Sequence, residues 1–362
     1  MCSLTIQNGK WWEDTNYSTG WPSTDPQEIS VASMFSGIEA YIHALKKIGA
    51  NFRHCFSIEH DQFCARILRE TTTPELLVQQ DVNRVRTDLL PSVDIFCASP
   101  PCSPYSSLGT RNSSDNRRDL IQPVIAYITA AKPNVVIVEN VLPFQGTVEY
   151  ESLKSTLSNY IVEDRVLDSS EFGSPQRRKR LFVVAVAAHC IPKDGKIPWP
   201  EPVQSPPRPI GETVLEPISS LPEDVWLTEK GIAYMEQRKT WGARIFTRDQ
   251  KGPMPTFCRS YSHQVHWKHC IKEHDGRLRK LTSREVARLQ GFPDSWNCTI
   301  VSRTQTQHAL GNSIDVHMLA PLMRNLYQLL VTAKQAYITR VNSWKGGSLS
   351  NDGKRVWILD LI

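Results

Sequence analysis

The sequence lacks the long apolar run that a membrane protein needs. No stretch among its 362 residues approaches the roughly 20 apolar residues that cross a bilayer. The N-terminus also lacks a basic region followed by an apolar core, so we expect no secretory signal. We therefore expect no membrane partner. The expected location is the cytoplasm of a bacterial or viral host cell, or the nucleus if the host is eukaryotic.

Paired cysteine motifs are missing as well. The nine cysteines are an odd number, and none stands in a Cys-x-x-Cys pair. This pattern argues against a disulfide framework and against a zinc site. We expect no bound metal, and we expect thiols that stay reduced and free to react.

Acidic residues are scarce in one segment. Between residues 238 and 280, eleven basic residues face three acidic ones, a local charge of +8 that leaves −3 for the rest of a chain whose total is +5. Five aromatic residues lie among these charges: Trp241, Phe246, Phe257, Tyr261 and Trp267. Basic patches with aromatic residues are typical of surfaces that bind a polyanion. The alternative is a solvated surface with a few core aromatics.

Short apolar segments alternate with amphipathic ones from Ile29 onward. This alternation predicts an α/β fold with a mostly parallel sheet that is covered on both faces. The predicted strands are 29–35, 52–59, 93–99, 134–140, 161–169 and 180–187. The predicted helices between them are 36–49, 62–72, 119–132 and about 152–160. Thr282 and Glu285 predict a capping box at a later helix.

Prolines become frequent after residue 188, and helix or strand periodicity stops there. This change predicts a domain boundary. We expect an N-terminal extension at 1–29, a main domain at 30–188 plus 300–362, and a smaller, irregular domain at 189–299.

Residues with reactive or polar side chains stand where predicted strands end. The reactive or polar ones are Glu59, Cys102 and Glu139, and Gly37 supplies a tight turn at the end of the first strand. In parallel sheets, ligands bind at the carboxyl ends of the strands, so these residues should share one crevice. Cys102 follows Pro100-Pro101, and prolines end regular structure, so its thiol should be presented as a nucleophile would be. The alternative for Cys102 is a buried cysteine beside an ordinary loop.

Eight motifs occur in an order that resembles the cytosine-C5 DNA methyltransferase family. The resemblance extends from about Val31 to Leu330. The motifs are FSGIEA at 35–40, IEH at 58–60, DVNRV at 81–85, PPCSPYS at 100–106, ENV at 139–141, QRRKR at 176–180, RKLTSREVARLQGFP at 279–293 and GNS at 311–313. Each motif is weak by itself, and their order and spacing carry the resemblance.

The resemblance implies a DNA (cytosine-5-)-methyltransferase with S-adenosylmethionine as cofactor and double-stranded DNA as partner. It implies a Rossmann-like catalytic domain, and it makes residues 189–299 the target-recognition domain. A cysteine thiolate adds to C6 of a flipped-out cytosine in such enzymes, which makes C5 a nucleophile. We expect the enzyme to be a monomer.

The resemblance also assigns residues to roles. The implied catalytic residues are Cys102 as nucleophile, Glu139 at ring N3, and Arg178 and Arg180 at the cytosine O2. The implied cofactor residues are Phe35, Ser36, Gly37, Ile38, Glu59 on the ribose, Asp81 on the adenine amino group, Pro100, Asn312 and Ser313. The implied DNA contacts are Ser103, Ser106, Arg117, Gln176, Arg244, Thr256 and Arg259.

The chain departs from the family pattern at several positions. The first motif usually has Asp where this chain has Ser33, and a Gly pair where it has Glu39-Ala40. A turn that keeps only Gly37 could change how closely the main chain approaches the cofactor. Ser103 stands where Gln is common, and Arg118 stands where Gly often follows Arg117.

Three other functions compete with this interpretation. A tRNA cytosine-C5 methyltransferase would share the motifs, but the long basic segment favours duplex DNA. A non-catalytic DNA-binding paralogue is disfavoured because Cys102, Glu139 and Arg180 are intact. A nicotinamide oxidoreductase would need Gly-x-Gly-x-x-Gly after the first strand, which residues 36–41 lack.

Overall fold

The computed structural model describes residues 25–105, 116–192, 195–203, 206, 208–237, 244–259 and 269–344. Most of the predicted N-terminal extension therefore lies outside the described residues. No helix in the described ranges combines the length and apolar character that crossing a membrane requires.

A seven-stranded sheet forms the centre of the protein, in the order β3-β2-β1-β4-β5-β7-β6. Five neighbouring strands pair in parallel, whereas β7 runs antiparallel to both β5 and β6. The mostly parallel α/β sheet predicted from the sequence is thus confirmed. The strands are β1 (Ile29–Met34), β2 (Phe52–Ile58), β3 (Leu76–Val78), β4 (Ile95–Ala98), β5 (Val135–Asn140), β6 (Tyr160–Asp168) and β7 (Lys179–Ala187). The sequence missed β3, because three apolar residues at the sheet edge are too short a signal.

Helices cover both faces of this sheet. Strand side chains alternate between two apolar clusters, so Val31 of β1 packs on the side of α1 and α9, and Met34 on the side of α3 and α4. The helices are α1 (Ala40–Ile48), α2 (Gln62–Thr71), α3 (Ile121–Ala131), α4 (Val148–Thr156), α5 (Ile210–Thr213), α6 (Glu229–Gln237), α7 (Ser283–Leu289), α8 (Arg303–Asn312) and α9 (Val316–Trp344).

The first helix begins four residues later than the sequence predicts. Phe35, Gly37 and Glu39 have φ angles of 56°, 54° and 60°. These left-handed conformations are incompatible with a right-handed helix. The chain therefore forms a turn at the end of β1 before α1 begins at Ala40.

Two other helix boundaries follow their caps. The α4 helix begins at Val148, ahead of the predicted 152–160, because the Thr147 hydroxyl accepts a hydrogen bond from the Tyr150 N–H. The capping box of Thr282 and Glu285 is confirmed at the start of α7.

A second, three-stranded sheet lies within the range predicted for the smaller domain. It has the order β10-β9-β8 and consists of β8 (Ile245–Thr247), β9 (Cys270–Lys272) and β10 (Leu278–Arg279). A buried ionic cluster holds it to α7. Arg279 lies 2.7 Å from Glu273 and 2.8 Å from Glu285, and Arg248 lies 2.6 Å from Glu273. Burial alone would raise the pKa of Glu273, but hydrogen bonds from Arg248 and Arg279 lower it.

This cluster corrects the prediction of a basic surface between residues 238 and 280. Arg248 and Arg279 point into the protein, so they cannot contact a polyanion. Arg277 is exposed but pairs with Asp275 at 2.7 Å. Besides Arg277, the exposed basic residues described in this segment are Arg244, Lys251, Arg259 and Lys272. Arg238, Lys239 and Lys268 lie outside the described residues.

We predict that Arg279→Ala lowers the free energy of unfolding by about 3–5 kcal/mol, because it leaves the buried Glu285 carboxylate without its cation and Glu273 with Arg248 alone. The control is Arg277→Ala, which removes an exposed pair with Asp275 and a contact with the Trp226 ring and should cost clearly less. Urea denaturation followed by circular dichroism measures both. Equal losses in the two variants would contradict a structural role for the buried cluster.

Candidate active site

Cys102 lies in a turn that follows β4. Pro100 and Pro101 separate it from the strand, and the Tyr105 N–H donates to the Cys102 carbonyl over 3.0 Å. The thiol is free and half-buried. Burial raises the pKa of the Cys102 thiol, and the positive charge of Arg180 opposes this rise. The structure therefore places the predicted nucleophile beside a cation, as an activated cysteine requires.

Glu139 stands near the carboxyl end of β5 and is buried. Because β7 is antiparallel, Glu139 pairs with Phe182, and the amino end of β7 brings Arg180 next to it. The Arg180 Nε lies 3.1 Å from the Glu139 Oε1. Burial raises the pKa of Glu139, although the charges of Arg180 and Arg178 act against this rise. Cys102, Glu139 and Arg180 are thus brought together.

Ser99 and Tyr41, to which the sequence analysis assigned no role, form a chain of hydrogen bonds to Glu139. The Ser99 hydroxyl hydrogen-bonds to the Glu139 carboxylate. The Tyr41 hydroxyl lies 3.1 Å from the Ser99 hydroxyl, and Tyr41 is buried within α1. Ser99 could have been found from its place at a strand end. Nothing in the sequence distinguishes Tyr41 from the other apolar residues of its helix.

Arg178 has a different position from the one predicted. Its side chain is 2% exposed, and its terminal nitrogens donate to the carbonyls of Phe257 and Gly311 over 3.1 and 3.2 Å. A Cβ on Gly311 would come within 2.4 Å of the Arg259 nitrogen, so α8 and the chain at 258–259 touch main chain to main chain. Arg178 therefore connects three segments of the chain through hydrogen bonds. Its predicted role at the cytosine O2 is replaced by this structural role.

Gln176 does not fit the predicted DNA contact. It is 0% exposed, and its amide nitrogen donates to Leu289, Gln290 and Asp315 over 3.0–3.2 Å. Its amide oxygen accepts from the Phe257 N–H over 3.0 Å. A side chain whose donor and acceptor atoms are all hydrogen-bonded inside the protein cannot also hydrogen-bond to DNA.

The predicted cofactor residues surround the turn after β1. The Glu59 carboxylate accepts from the Gly37 N–H over 2.7 Å and from the Asp61 N–H over 2.8 Å. A Cβ added to Gly37 would meet nothing within 4 Å, so open space adjoins this turn. Asp81 is exposed in the loop after β3, and its carboxylate accepts from the Asn83 N–H over 3.0 Å.

The remaining cofactor residues differ in their exposure. The side chain of Ile38 is buried in the core, so a contact of this residue with the cofactor would have to come from its main chain. Phe35 is half-buried, and the Ser36 hydroxyl is bonded inside the protein. Pro100 is buried, Asn312 is exposed at the end of α8, and Ser313 is buried next to it.

Glu39 explains how the chain accommodates its departures in the first motif. Its buried carboxylate accepts from the hydroxyls of Ser33 and Ser57 and lies 3.3 Å from the His54 ring. Burial alone would raise the pKa of Glu39, but the bond from His54 and the two hydroxyls lower it. Glu39 and Ser33 thus replace the family's Asp and Gly as a hydrogen-bonded pair beneath the turn.

The other predicted DNA contacts lie along the surface. Arg117, Arg244 and Arg259 are exposed, and Ser103 is half-buried one residue after Cys102. The half-buried Thr256 donates its hydroxyl to the Arg177 carbonyl over 2.6 Å. Burial raises the pKa of Cys64 at the start of α2, and the charge of Arg259 acts against this rise. Ser106 lies outside the described residues.

The fold and this cluster define a methyltransferase class, and comparison with known proteins specifies the family. The model of the C-5 cytosine-specific DNA methylase family matches residues 29–328. The chain therefore belongs to that family and is a DNA cytosine-5-methyltransferase.

Curated relatives agree with this assignment, and a solved structure shares the fold. The chain is 24% identical to the type II methyltransferase M.Bsp6I of Bacillus sp. over 84% of this chain and 100% of that protein. It is 26% identical to the type II methyltransferase M.MspI of Moraxella sp. over 85% of this chain and 72% of that protein. A DNMT2 mutant from Spodoptera frugiperda has the same fold, with a TM-score of 0.68 at 18% identity over 82% of this chain and 99% of that one.

We predict that Arg180→Gln raises the pKa of Cys102, because it removes the charge that opposes burial. Less thiolate is then present near neutral pH, so alkylation of Cys102 by iodoacetamide should slow at least several-fold. The pH profile of the reaction should also move to higher pH. Peptide mass spectrometry measures the rate, with Cys258 as an internal reference and Arg165→Gln as the control. An unchanged profile would show that Arg180 does not act on the thiol.

Proposed function

We propose that the enzyme transfers a methyl group to C5 of a cytosine that is flipped out of a short sequence in double-stranded DNA. The supporting observation is the common site of Cys102, Glu139 and Arg180, in which the Arg180–Glu139 distance is 3.1 Å. C5 and C6 are hidden in a stacked duplex, so chemistry at these atoms requires base flipping.

Cys102 starts the reaction in this proposal. Its thiolate forms a bond to C6, and the electrons of the C5–C6 double bond make C5 nucleophilic. After C5 is methylated, its proton leaves to a base. The electrons of that C–H bond restore the double bond, and the C6–S bond breaks to release the thiolate.

Glu139 and Arg180 stabilise the charge that this addition creates. Burial raises the pKa of Glu139, which favours the protonated acid that can donate to ring N3. Arg180 donates at O2, where negative charge builds up in the transition state. Arg178 acts in this proposal by holding β7 in place.

The turn after β1 fits S-adenosylmethionine. Gly37 faces open space, the buried Glu59 carboxylate stands beside it for the ribose, and the exposed Asp81 is free for the adenine amino group. When bound there, the cofactor supplies the electrophilic methyl group. Glu59 also orders the turn itself by accepting the Gly37 N–H.

DNA recognition belongs in this proposal to residues 189–299, and catalysis to residues 30–188 and 300–362 of a monomer. The exposed Arg244, Lys251, Arg259 and Lys272 support this division because all four lie within residues 189–299 and at the surface. Arg117 and Thr256 complete the proposed contacts to the DNA backbone. Phosphate contacts of this kind make affinity depend on salt.

We predict that Cys102→Ala abolishes methyl transfer and leaves DNA affinity within a few-fold, because only the covalent step needs the thiol. Duplex DNA with 5-fluorocytosine at the target should trap the wild-type enzyme as a denaturation-resistant adduct only when cofactor is present. Fluorine cannot leave as a cation, so the reaction stops after methylation. Bisulfite sequencing first locates the target, and tRNA is assayed in parallel. Activity in the alanine variant, or on tRNA alone, would contradict the proposal.

We predict that Glu59→Ala and Asp81→Ala each raise the dissociation constant of the cofactor more than tenfold. A hydrogen bond to a carboxylate typically contributes ~1.5 kcal/mol or more. Isothermal titration calorimetry measures the constant without DNA or catalysis. Glu75→Ala is the control, since its exposed carboxylate pairs with Arg53 at 3.3 Å. Unchanged affinity in both test variants would mean that the cofactor lies elsewhere.

A further inference from the structure

Arg118 makes contacts that none of the roles above explains. It lies in the short turn Asn116–Leu120 that leads into α3. One terminal nitrogen of its guanidinium lies 3.2 Å from each oxygen of Glu149. Its Cζ lies 4.9 Å from the centre of the Tyr105 ring. The side chains of Arg118 and Glu149 are 22% and 15% exposed, so solvent screens their attraction only in part.

Tyr105 connects this contact to the nucleophile. It is buried, lies three residues after Cys102, and closes the cysteine turn by donating its N–H to the Cys102 carbonyl. Its ring packs edge-on against Phe144 with centroids 5.1 Å apart. Phe144 belongs to the turn that follows β5, the strand of Glu139. One aromatic contact thus joins the chain after Cys102 to the chain after Glu139.

Glu149 is held in place by the helix to which it belongs. It stands in the first turn of α4, where the helix dipole favours a carboxylate and Thr147 caps the end. The neighbouring Tyr150 packs on the other side of Phe144, with centroids 5.9 Å apart. Arg118 is therefore anchored to a capped helix and lies over the Tyr105 ring, where a cation is attracted to the aromatic face.

We propose that Arg118 and Glu149 are positioning residues, which hold Tyr105 against Phe144 and thereby set the place of the Cys102 thiol relative to Glu139 and Arg180. The proposal rests on the proposed function of the same site. The family pattern often has Gly at this position, which can make neither contact. We call the contacts among Tyr105, Arg118 and Glu149 the clasp.

The test compares Arg118→Gln and Glu149→Gln with the conservative variant Arg118→Lys. The matched control is Arg165→Gln, because Arg165 makes the same kind of contact on the edge strand β6. Its Cζ lies 5.2 Å from the Trp199 ring, and one of its nitrogens lies 3.6 Å from Glu163. Single-turnover methyl transfer is measured at saturating DNA and cofactor, together with both dissociation constants and the melting temperature.

We expect the methyl-transfer rate to fall about 10- to 100-fold in both glutamine variants, since displacements of about 1 Å can cost a factor of this size. DNA and cofactor affinities should stay within about threefold, because positioning acts after binding. Arg118→Lys keeps a cation beside Glu149 and the Tyr105 ring and should retain more of the rate than Arg118→Gln, and Arg165→Gln should change nothing. Rates within twofold of wild type would overturn the proposal, as would losses fully explained by weaker binding or a lower melting temperature.

A second measurement separates this inference from the proposed function. The rate of Cys102 alkylation without any substrate reports the place of the thiol even if the wild type fails to methylate DNA. Release of Tyr105 should loosen the cysteine turn and make this half-buried thiol react at least threefold faster in Arg118→Gln. Unchanged alkylation in that variant would reject the clasp. Inactivity of the wild type, with no 5-fluorocytosine adduct, would reject only the proposed function.

Discussion

The reversal of one strand, β7, is the constraint on which the candidate site depends. In a wholly parallel sheet, the amino end of β7 would lie at the opposite edge from the carboxyl ends of β4 and β5. Because β7 is antiparallel to β5, Asn140 pairs with Leu181, and Arg180 arrives next to Glu139. The ion pair of the site is thus a product of sheet topology, and so is the cation that influences Cys102.

Charges buried at this edge are costly unless they have partners, and their partners come from distant parts of the chain. The terminal nitrogens of Arg178 donate to the carbonyls of Phe257 and Gly311, and Gln176 bonds to residues around α7 and α9. These bonds join the chain before β7 to segments that lie far from it in the sequence. Within the motif QRRKR at 176–180, Gln176 and Arg178 stabilise the fold, whereas Arg180 belongs to the candidate site.

The sequence predicted the main elements because apolar strands and capped helices are local signals. The placement of Cys102 and Glu139 followed, since the carboxyl ends of parallel strands share one edge. Contacts between distant segments could not be predicted in this way. Arg279 looks like a surface cation in the sequence, and only the fold brings Glu273 and Glu285 to it. Tyr41 looks like a core residue, and only the packing of α1 reveals its bond to Ser99.

Local conformation limited the prediction of the first turn. The left-handed angles at Phe35 and Glu39 belong to residues that rarely adopt them, so helical periodicity was extended too far toward β1. Buried contacts compensate at Glu39, whose carboxylate is held by two hydroxyls and lies 3.3 Å from a histidine.

That carboxylate also limits how such a chain can change during evolution. The family's usual Asp and Gly have become Ser33 and Glu39 here, so one acidic group has in effect moved six positions along the chain. Single substitutions link the two arrangements only through an intermediate with two carboxylates in one buried space, or with none. The first would bring like charges together, and the second would leave the hydroxyl of Ser57 and the ring of His54 without their acceptor. Substitutions at the two positions should therefore not be additive, because either single exchange costs stability that the double exchange restores.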